Sequence, residues 1–353
     1  MQTSSIRKKL QTWYRKQKRK LPWRGTRDPY RIWVSEVMLQ QTTVAAVARR
    51  YERFLRRFPD LPALARAREE SVLAAWSGLG YYARARNLRR AAREILLRHA
   101  GHIPREPAQL ACLPGFGQYT AAAVASLAFD KSTPAAETNV TRVVSRLFAV
   151  EGRASSPRHR QTVLDRARTL LPVRRPGDGT AALMDLGQLI CTPSRPACPS
   201  CPIRSHCQAY RRGRPEAYPQ RPAPTRRVRV ALAAVFAGHR GRALLVRRES
   251  GFLKGLWEFP SAEGRTAAAA RQGLAKRIRP LSLRIVSSRP LATARHAVVN
   301  RRIHVEVFGT RLHPKSEIRN PKSEMRWFRP AELSRAAIPT LTRKIARAVG
   351  FLD

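Results

Sequence analysis

Two textures of apolar and polar positions divide the chain. Up to about Tyr210, apolar residues recur at helical spacing between short turns rich in Pro and Gly, which predicts a helical region. Asp28-Pro29 is an N-cap followed by proline at the first helical position, opening a helix through Trp33 and Val37. Another begins at Ala83, with Leu88, Ala92, Ile95 and Leu96 on one face and Arg86, Arg89, Arg90 and Arg93 largely off it. Those arginines suit phosphate contact or a solvated face equally. An Ala-rich helix is expected over 119–129, and a further one carries Val140, Val143, Val144, Leu147 and Phe148 as core residues. From about Gln208 to Arg227 the pattern dissolves into Arg, Pro and Gly, the composition of a linker. Beyond it, strands are expected at 228–236, 244–246 and 303–308, with a helix over 266–278. The reading is a multidomain chain: an all-α domain over 1–210, a linker over 211–227 and an α+β domain over 228–353.

Charge changes the picture more than length does. The 353 residues include 69 Lys+Arg against 23 Asp+Glu, a formal charge of +46. That balance points to a polyanionic partner, nucleic acid first, although an Arg-rich proteome would produce the same balance. No apolar run reaches membrane-spanning length, and residues 1–20 are basic without the apolar core of a signal peptide. A soluble intracellular protein, with no membrane partner, is expected.

Four cysteines, Cys191, Cys198, Cys201 and Cys207, follow one another at a spacing of x6, x2 and x5. The pattern is a metal-ligand set rather than a disulfide framework. Thiolate ligation of this kind suits a [4Fe–4S] cluster. Zinc, which more often takes two close pairs, remains the alternative. Cys112, alone among apolar neighbours, is expected in the core.

Leu113-Pro114-Gly115-Phe116-Gly117 precedes the Ala-rich helix. Its glycines allow a tight turn that aims backbone N–H groups and a helix N-terminus outward, a cradle for a DNA phosphate or simply a turn. Glu36 lies mid-helix between apolar neighbours, where burial would raise its pKa and suit it to general-acid work; a half-exposed helix glutamate is the plainer reading. Glu137 begins the helix of Val140, where the dipole favours the anion and where it, Thr138 or Asn139 could serve as a cap. An acid and an anion with pKa values pushed apart are what glycosidic cleavage through an oxocarbenium-like transition state requires.

These motifs resemble the adenine DNA glycosylases of the MutY family, within the helix-hairpin-helix superfamily that includes endonuclease III. The resemblance is carried by Leu21-Pro22-Trp23-Arg24, by the run from Pro29 through Glu36 and Gln41 to Thr42, and by the run from Gly78 to Leu88. The hairpin, Met184-Asp185-Leu186-Gly187 and the cysteine loop complete it. It implies a [4Fe–4S] cluster on Cys191, Cys198, Cys201 and Cys207, and a C-terminal Nudix-like domain matched locally by residues 255–260. It implies that Glu36 protonates adenine, that Asn139 positions the catalytic groups, and that Tyr119 stands where bifunctional lyases carry a lysine. With no amine there, no Schiff base forms and the enzyme is monofunctional. Gln41 and Tyr82 match residues that wedge into the duplex. Arg24, Leu113, Gly115 and Gly117 fall in its DNA-contacting blocks, and Arg195 and Arg204 lie on a cluster loop that engages DNA. The implied partner is double-stranded DNA with adenine opposite 8-oxoguanine or guanine; a monomer is expected, and the compact length without targeting tails predicts a bacterial cytoplasmic, nucleoid-associated enzyme.

The chain departs from the family twice. Glu137 stands where aspartate is usual, one methylene longer; it is expected to stabilise the cationic sugar. Val298-Val299-Asn300 stands where a Phe-Ser-His stretch senses 8-oxoguanine, leaving Val299 and Asn300 as candidate contacts to the opposite base. The glutamate-rich helix of Nudix hydrolases is replaced by Arg271-Gln272-Gly273-Leu274-Ala275-Lys276, so no diphosphatase activity is expected. Two other readings stand beside adenine removal: excision of thymine or uracil opposite guanine, and mismatch binding without cleavage.

Overall fold

The computed structural model describes residues 2–17, 19–220, 226–251, 253–312 and 324–353. Residues 221–225, the centre of the expected linker, lie outside the described residues. The chain forms two compact units, Met1–Arg66 with Asn87–Ala223, and Ala67–Arg86 with Pro224–Asp353.

The first unit is helical. Its core gathers side chains from the helices Gln2–Gln17, Gln118–Phe129, Thr138–Phe148, Pro157–Leu170 and Pro176–Leu189. The first of these was hidden by its charge. Ile6, Leu10 and Tyr14, one turn apart, bury themselves while the intervening Lys and Arg residues stay at the surface. Asp28 caps the helix Pro29–Leu39 by accepting from the N–H groups of Tyr30 (2.8 Å) and Arg31 (3.1 Å). In Thr138–Phe148 the expected stripe of Val140, Val143, Val144 and Leu147 is buried, with Phe148 packed beside it. The helix Pro176–Leu189 is buried along most of its length. Gly187 makes that possible: a Cβ there would lie 2.7 Å from the Asn139 Cβ and 2.9 Å from its carbonyl oxygen. Cys112 is not a core residue. It follows the short helix Pro107–Ala111, where the chain turns outward, and is exposed, while Leu110 and Leu113 turn inward instead.

The second unit holds nine strands among its described residues: β1 (Val228–Phe236), β2 (Gly238–His239), β3 (Arg242–Arg247), β4 (Trp257–Glu258), β5 (Ser261–Gly264), β6 (Leu283–Ile285), β7 (Ala292–Val298), β8 (Arg301–Leu312) and β9 (Met325–Phe328). β1 is central to one sheet, antiparallel to β5 and parallel to β8, and β6 and β7 both pair with β8. In the other sheet β3 pairs with β2, β4 and β9. Alternation along β1 divides the core. Val230, Leu232 and Ala234 join Trp257, Phe328, Ile338 and Ile345, whereas Ala233 and Val235 face Leu274 and Ile278 of the helix Ala267–Ile278. That helix carries Arg271, Lys276 and Arg277 and no carboxylate, and Arg271 forks onto Glu306 at 2.9 and 3.0 Å. Residues 67–86 belong to this unit by contact. Trp257 Nε1 donates to Glu70 Oε1 (3.3 Å), and the Ser77 and Tyr82 hydroxyls both donate to the Ile338 carbonyl (3.2 and 2.7 Å).

Candidate active site

The candidate site lies in the helical unit, where Pro29–Leu39 and Gln118–Phe129 bring Glu36 and Tyr119 together and both feel the charge of Glu137, at the start of Thr138–Phe148 two residues before Asn139. Glu36 is 4% exposed, which decides against a half-solvated glutamate. Tyr119 donates its hydroxyl to Glu36 Oε2 at 2.7 Å. Burial pushes the Glu36 carboxyl above the ordinary range. The Tyr119 hydrogen bond and the Arg24 charge pull the other way, and the Glu137 charge adds to the rise. The Tyr119 phenol is driven well up by burial, by the Glu36 charge and by its bond to Glu36, so it remains a donor. The pair can therefore present a neutral acid in a dry setting.

Arg24 is not an exposed surface cation that could sit on a phosphate. Its side chain is largely buried and pairs at 3.0 Å with Asp185, itself 1% exposed. Pulling that pair apart would strand a buried charge, at a cost of about 3–5 kcal/mol. Among the described residues, neither Arg24 Nε nor Asp185 Oδ2 has a hydrogen-bond partner. A cavity of about 160 Å³ opens beside them, lined among others by Tyr14, Trp23, Arg24, Glu36, Asp178 and Ala181.

Glu137 is the N-cap of its helix, and its Oε1 accepts from Val140 N at 3.3 Å. Asn139, a turn-mate, accepts at Oδ1 from Arg142 Nη2 (2.7 Å). Sequence reasoning missed this arginine. It also donates to the carbonyls of Gly187 (2.7 Å) and Cys191 (2.7 Å), so one guanidinium ties the asparagine to the start of the cysteine loop. One turn on, buried Arg146 donates to Thr192 O (2.6 Å), Pro193 O (3.0 Å) and Tyr218 O (3.1 Å) and approaches Cys191 Sγ at 3.4 Å. Two arginines one turn apart, beside the apolar stripe of Val140, Val143, Val144 and Leu147, were the available signal.

The cysteine loop is braced by the first helix, where Lys9 donates to Ser205 Oγ at 3.0 Å and Ser5 Oγ meets His206 Nε2 at 3.4 Å. Burial pushes the Cys201 thiol up to about 12, and burial also raises Cys198 and Cys207. Each of these thiols also feels neighbouring cysteine charges. Three thiols that resist ionisation alone, gathered around Cys191 with Arg146 beside it, fit a thiolate set that a bound cation would ionise. Among the described residues no three ligating side chains converge on a single ion. Arg195 and Arg204 are exposed on this loop.

The hairpin has the expected turn. Gly115 has φ 78°, and a Cβ there would lie 2.6 Å from the Asn87 Cβ; Gly117 caps Gln118–Phe129. Leu113 is not a contact residue. Its side chain is buried and its N–H donates to Leu110 O at 3.0 Å, so it holds the turn from inside. Gln41 is exposed with φ 53°, a shape a wedge could have. Tyr82 is 3% exposed, packed inward with its hydroxyl on Ile338, and cannot wedge; the exposed ring is its neighbour Tyr81, at 45%. In the second unit, Val298 pairs with Arg301, so Val299 and Asn300 form the tip between β7 and β8. Val299 is 81% exposed with φ 54°, while Asn300 folds back, its Nδ2 donating to Arg226 O at 3.3 Å.

Comparison with known proteins places both parts of the chain in known families. Residues 34–168 match the model of the HhH-GPD superfamily base excision DNA repair proteins, and residues 232–348 match the NUDIX domain. The chain is 35% identical to the adenine DNA glycosylase of Mus musculus over 98% of its own length and 78% of that protein's. The Homo sapiens adenine DNA glycosylase is 32% identical over 98% of this chain and 74% of its own. Among solved structures, a thermostable thymine-DNA glycosylase is 29% identical with a TM-score of 0.55, covering 60% of this chain and 97% of that one.

Proposed function

This chain belongs to the adenine DNA glycosylase family, and from that premise we propose that it hydrolyses the N-glycosidic bond of adenine opposite 8-oxoguanine or guanine in double-stranded DNA. The observation that carries the reading is the buried Glu36 carboxyl, its pKa raised, taking a 2.7 Å hydrogen bond from Tyr119. Glu36 in its acid form gives a proton to a ring nitrogen of the flipped adenine. The glycosidic electrons leave with the base, and water adds to the sugar carbon, losing its proton. Glu137 opposes the positive charge on the sugar, and Asn139, fixed by Arg142, orients these groups. The Tyr119 phenol forms no Schiff base, so the strand is not cut by elimination. The cavity beside Arg24 and Glu36 receives the extruded base.

Cys191, Cys198, Cys201 and Cys207 hold a [4Fe–4S] cluster, which when bound closes the loop that Arg142 and Arg146 tie to the helix of Asn139. Gln41, Gly115 and Gly117 contact the duplex, with Arg195 and Arg204 on phosphates. The tip of Val299 and Asn300 meets the base opposite adenine. It offers methyl groups where a hydroxyl would be needed, so preference for 8-oxoguanine over guanine is small, about fivefold or less, the worth of one hydrogen bond. Thymine excision is the weaker reading. The thymine-DNA glycosylase is accounted for by 60% of this chain, whereas the adenine enzymes align over 98%.

Single-turnover base release from duplexes pairing adenine with 8-oxoguanine, adenine with guanine, and thymine with guanine tests the proposal. Release from the first two, abolished by Glu36→Gln, is expected. Release of thymine instead, or none from any duplex, overturns it.

A further inference from the structure

Tyr81 and Tyr82 are neighbours with opposite fates. Tyr82 is 3% exposed and Tyr81 45%, and Tyr81 sits at φ 46° between Gly80 (φ 72°) and the buried ring of Tyr82. A bulky side chain in the left-handed region is uncommon and persists where its surroundings impose it. Here the restraints are visible. Trp76 Nε1 donates to Gly80 O (3.1 Å), and Arg84 Nη2 donates to Leu79 O (3.0 Å) and Gly80 O (3.1 Å). The Arg84 guanidinium lies 5.4 Å from the Trp76 ring centre and 5.7 Å from that of Tyr81. This closed loop is fastened at both ends to one atom of the C-terminal sequence. The Ile338 carbonyl accepts from Ser77 Oγ (3.2 Å) and from the Tyr82 hydroxyl (2.7 Å), and Arg343 Nη2 donates to Ser77 Oγ at 3.3 Å. Ile338 is itself fully buried among Trp257, Phe328 and Ile345.

We propose that Tyr82 is a positioning residue: through Ile338 the Nudix-like domain holds the 77–82 loop in the shape that presents the Tyr81 ring to a duplex. The role rests on the reading of the chain as a binder of mispaired DNA. An exposed ring beside a guanidinium is a stacking platform for a base, and its presentation here depends on a carbonyl more than 250 residues away in sequence. The domain thereby contributes to duplex engagement by a route separate from its own hairpin tip.

The test is a double-mutant cycle on affinity for an adenine–8-oxoguanine duplex, read by fluorescence anisotropy in a Glu36→Gln background that prevents turnover. Tyr82→Phe keeps the ring and removes only the hydroxyl. It should weaken binding about fivefold, and Ser77→Ala should shift it the same way by less. Tyr81→Ala should weaken binding roughly tenfold. With Tyr81→Ala present, Tyr82→Phe should add nothing. Full additivity, with melting temperatures falling in parallel, means Tyr82 acts only on stability and overturns the proposal. Unchanged binding in Tyr82→Phe or in Tyr81→Ala also overturns it. If the cycle behaves as expected while the unmutated Glu36 enzyme releases no adenine, the glycosylase reading fails and the positioning role stands.

Discussion

Two buried glutamates, Glu36 in the helical unit and Glu258 in the Nudix-like one, are 4% and 6% exposed, yet the chain surrounds them differently. Glu258 Oε1 takes Arg248 Nε at 3.0 Å and Arg277 Nη2 at 3.4 Å, so its charge is met by two guanidiniums. Glu36 is given a phenol. The nearest guanidinium, Arg24, is committed to Asp185 and acts on Glu36 through its field. A carboxylate that must hold a structure is given cations. One that must give up a proton is given burial and a neutral donor, which leaves its acid form accessible.

The contrast breaks most sharply at Glu36→Gln. Adenine release should fall by about a thousandfold, the scale of general-acid catalysis, while thermal stability holds. Stability at alkaline pH should even rise: a raised carboxyl stabilises the fold below its ordinary pKa, and that contribution is lost as pH climbs through the raised value. Equal loss of stability in this variant would dissolve the distinction. At Glu258→Gln the pattern should invert. Two partly exposed arginines lose their anion, costing about 2 kcal/mol in a denaturant titration, with single-turnover release at 25 °C within about twofold of the parent. Arg142→Lys sharpens the comparison from the side of Asn139. A lysine cannot fork among Asn139, Gly187 and Cys191, so release should drop about tenfold without loss of charge. The pH profile is subtler. Rate should decline as pH rises through the raised Glu36 value. Tyr119→Phe, which removes a bond favouring the carboxylate, should carry that decline to higher pH. Smallest is Val299→Asn, which relieves a β-branched residue at φ 54° and should stabilise the protein by about 1 kcal/mol in a thermal melt.

Legibility followed the same division. The helix of Val140, Val143, Val144 and Leu147 and strand β1 could be read because their periodicity is packing. Glu36 and Tyr119 could be named but not joined, since they come together only when two helices pack. Arg24 could be named but its burial against Asp185 could not be foreseen: sequence gives the guanidinium but not the carboxylate that claims it. Tyr82 was misread for its neighbour because two adjacent tyrosines carry no sign of which one turns inward. The Gln2–Gln17 helix escaped notice because its three buried residues are outnumbered by Lys, Arg and Gln. Arg142 and Arg146 were passed over because cations on a helix usually face water.

The Arg24–Asp185 pair has a consequence for how the chain is made. The two residues are 161 positions apart, so at roughly 5–20 residues per second a ribosome separates their appearance by about 8–30 s. Throughout that interval the apolar ridge of Ile6, Leu10 and Tyr14 also waits for the helix Pro176–Leu189 that will cover it. The nascent chain must therefore carry an uncovered ridge and an unmatched cation until nearly the whole first unit has emerged. Chaperone demand during synthesis should peak before residue 185 and subside after it.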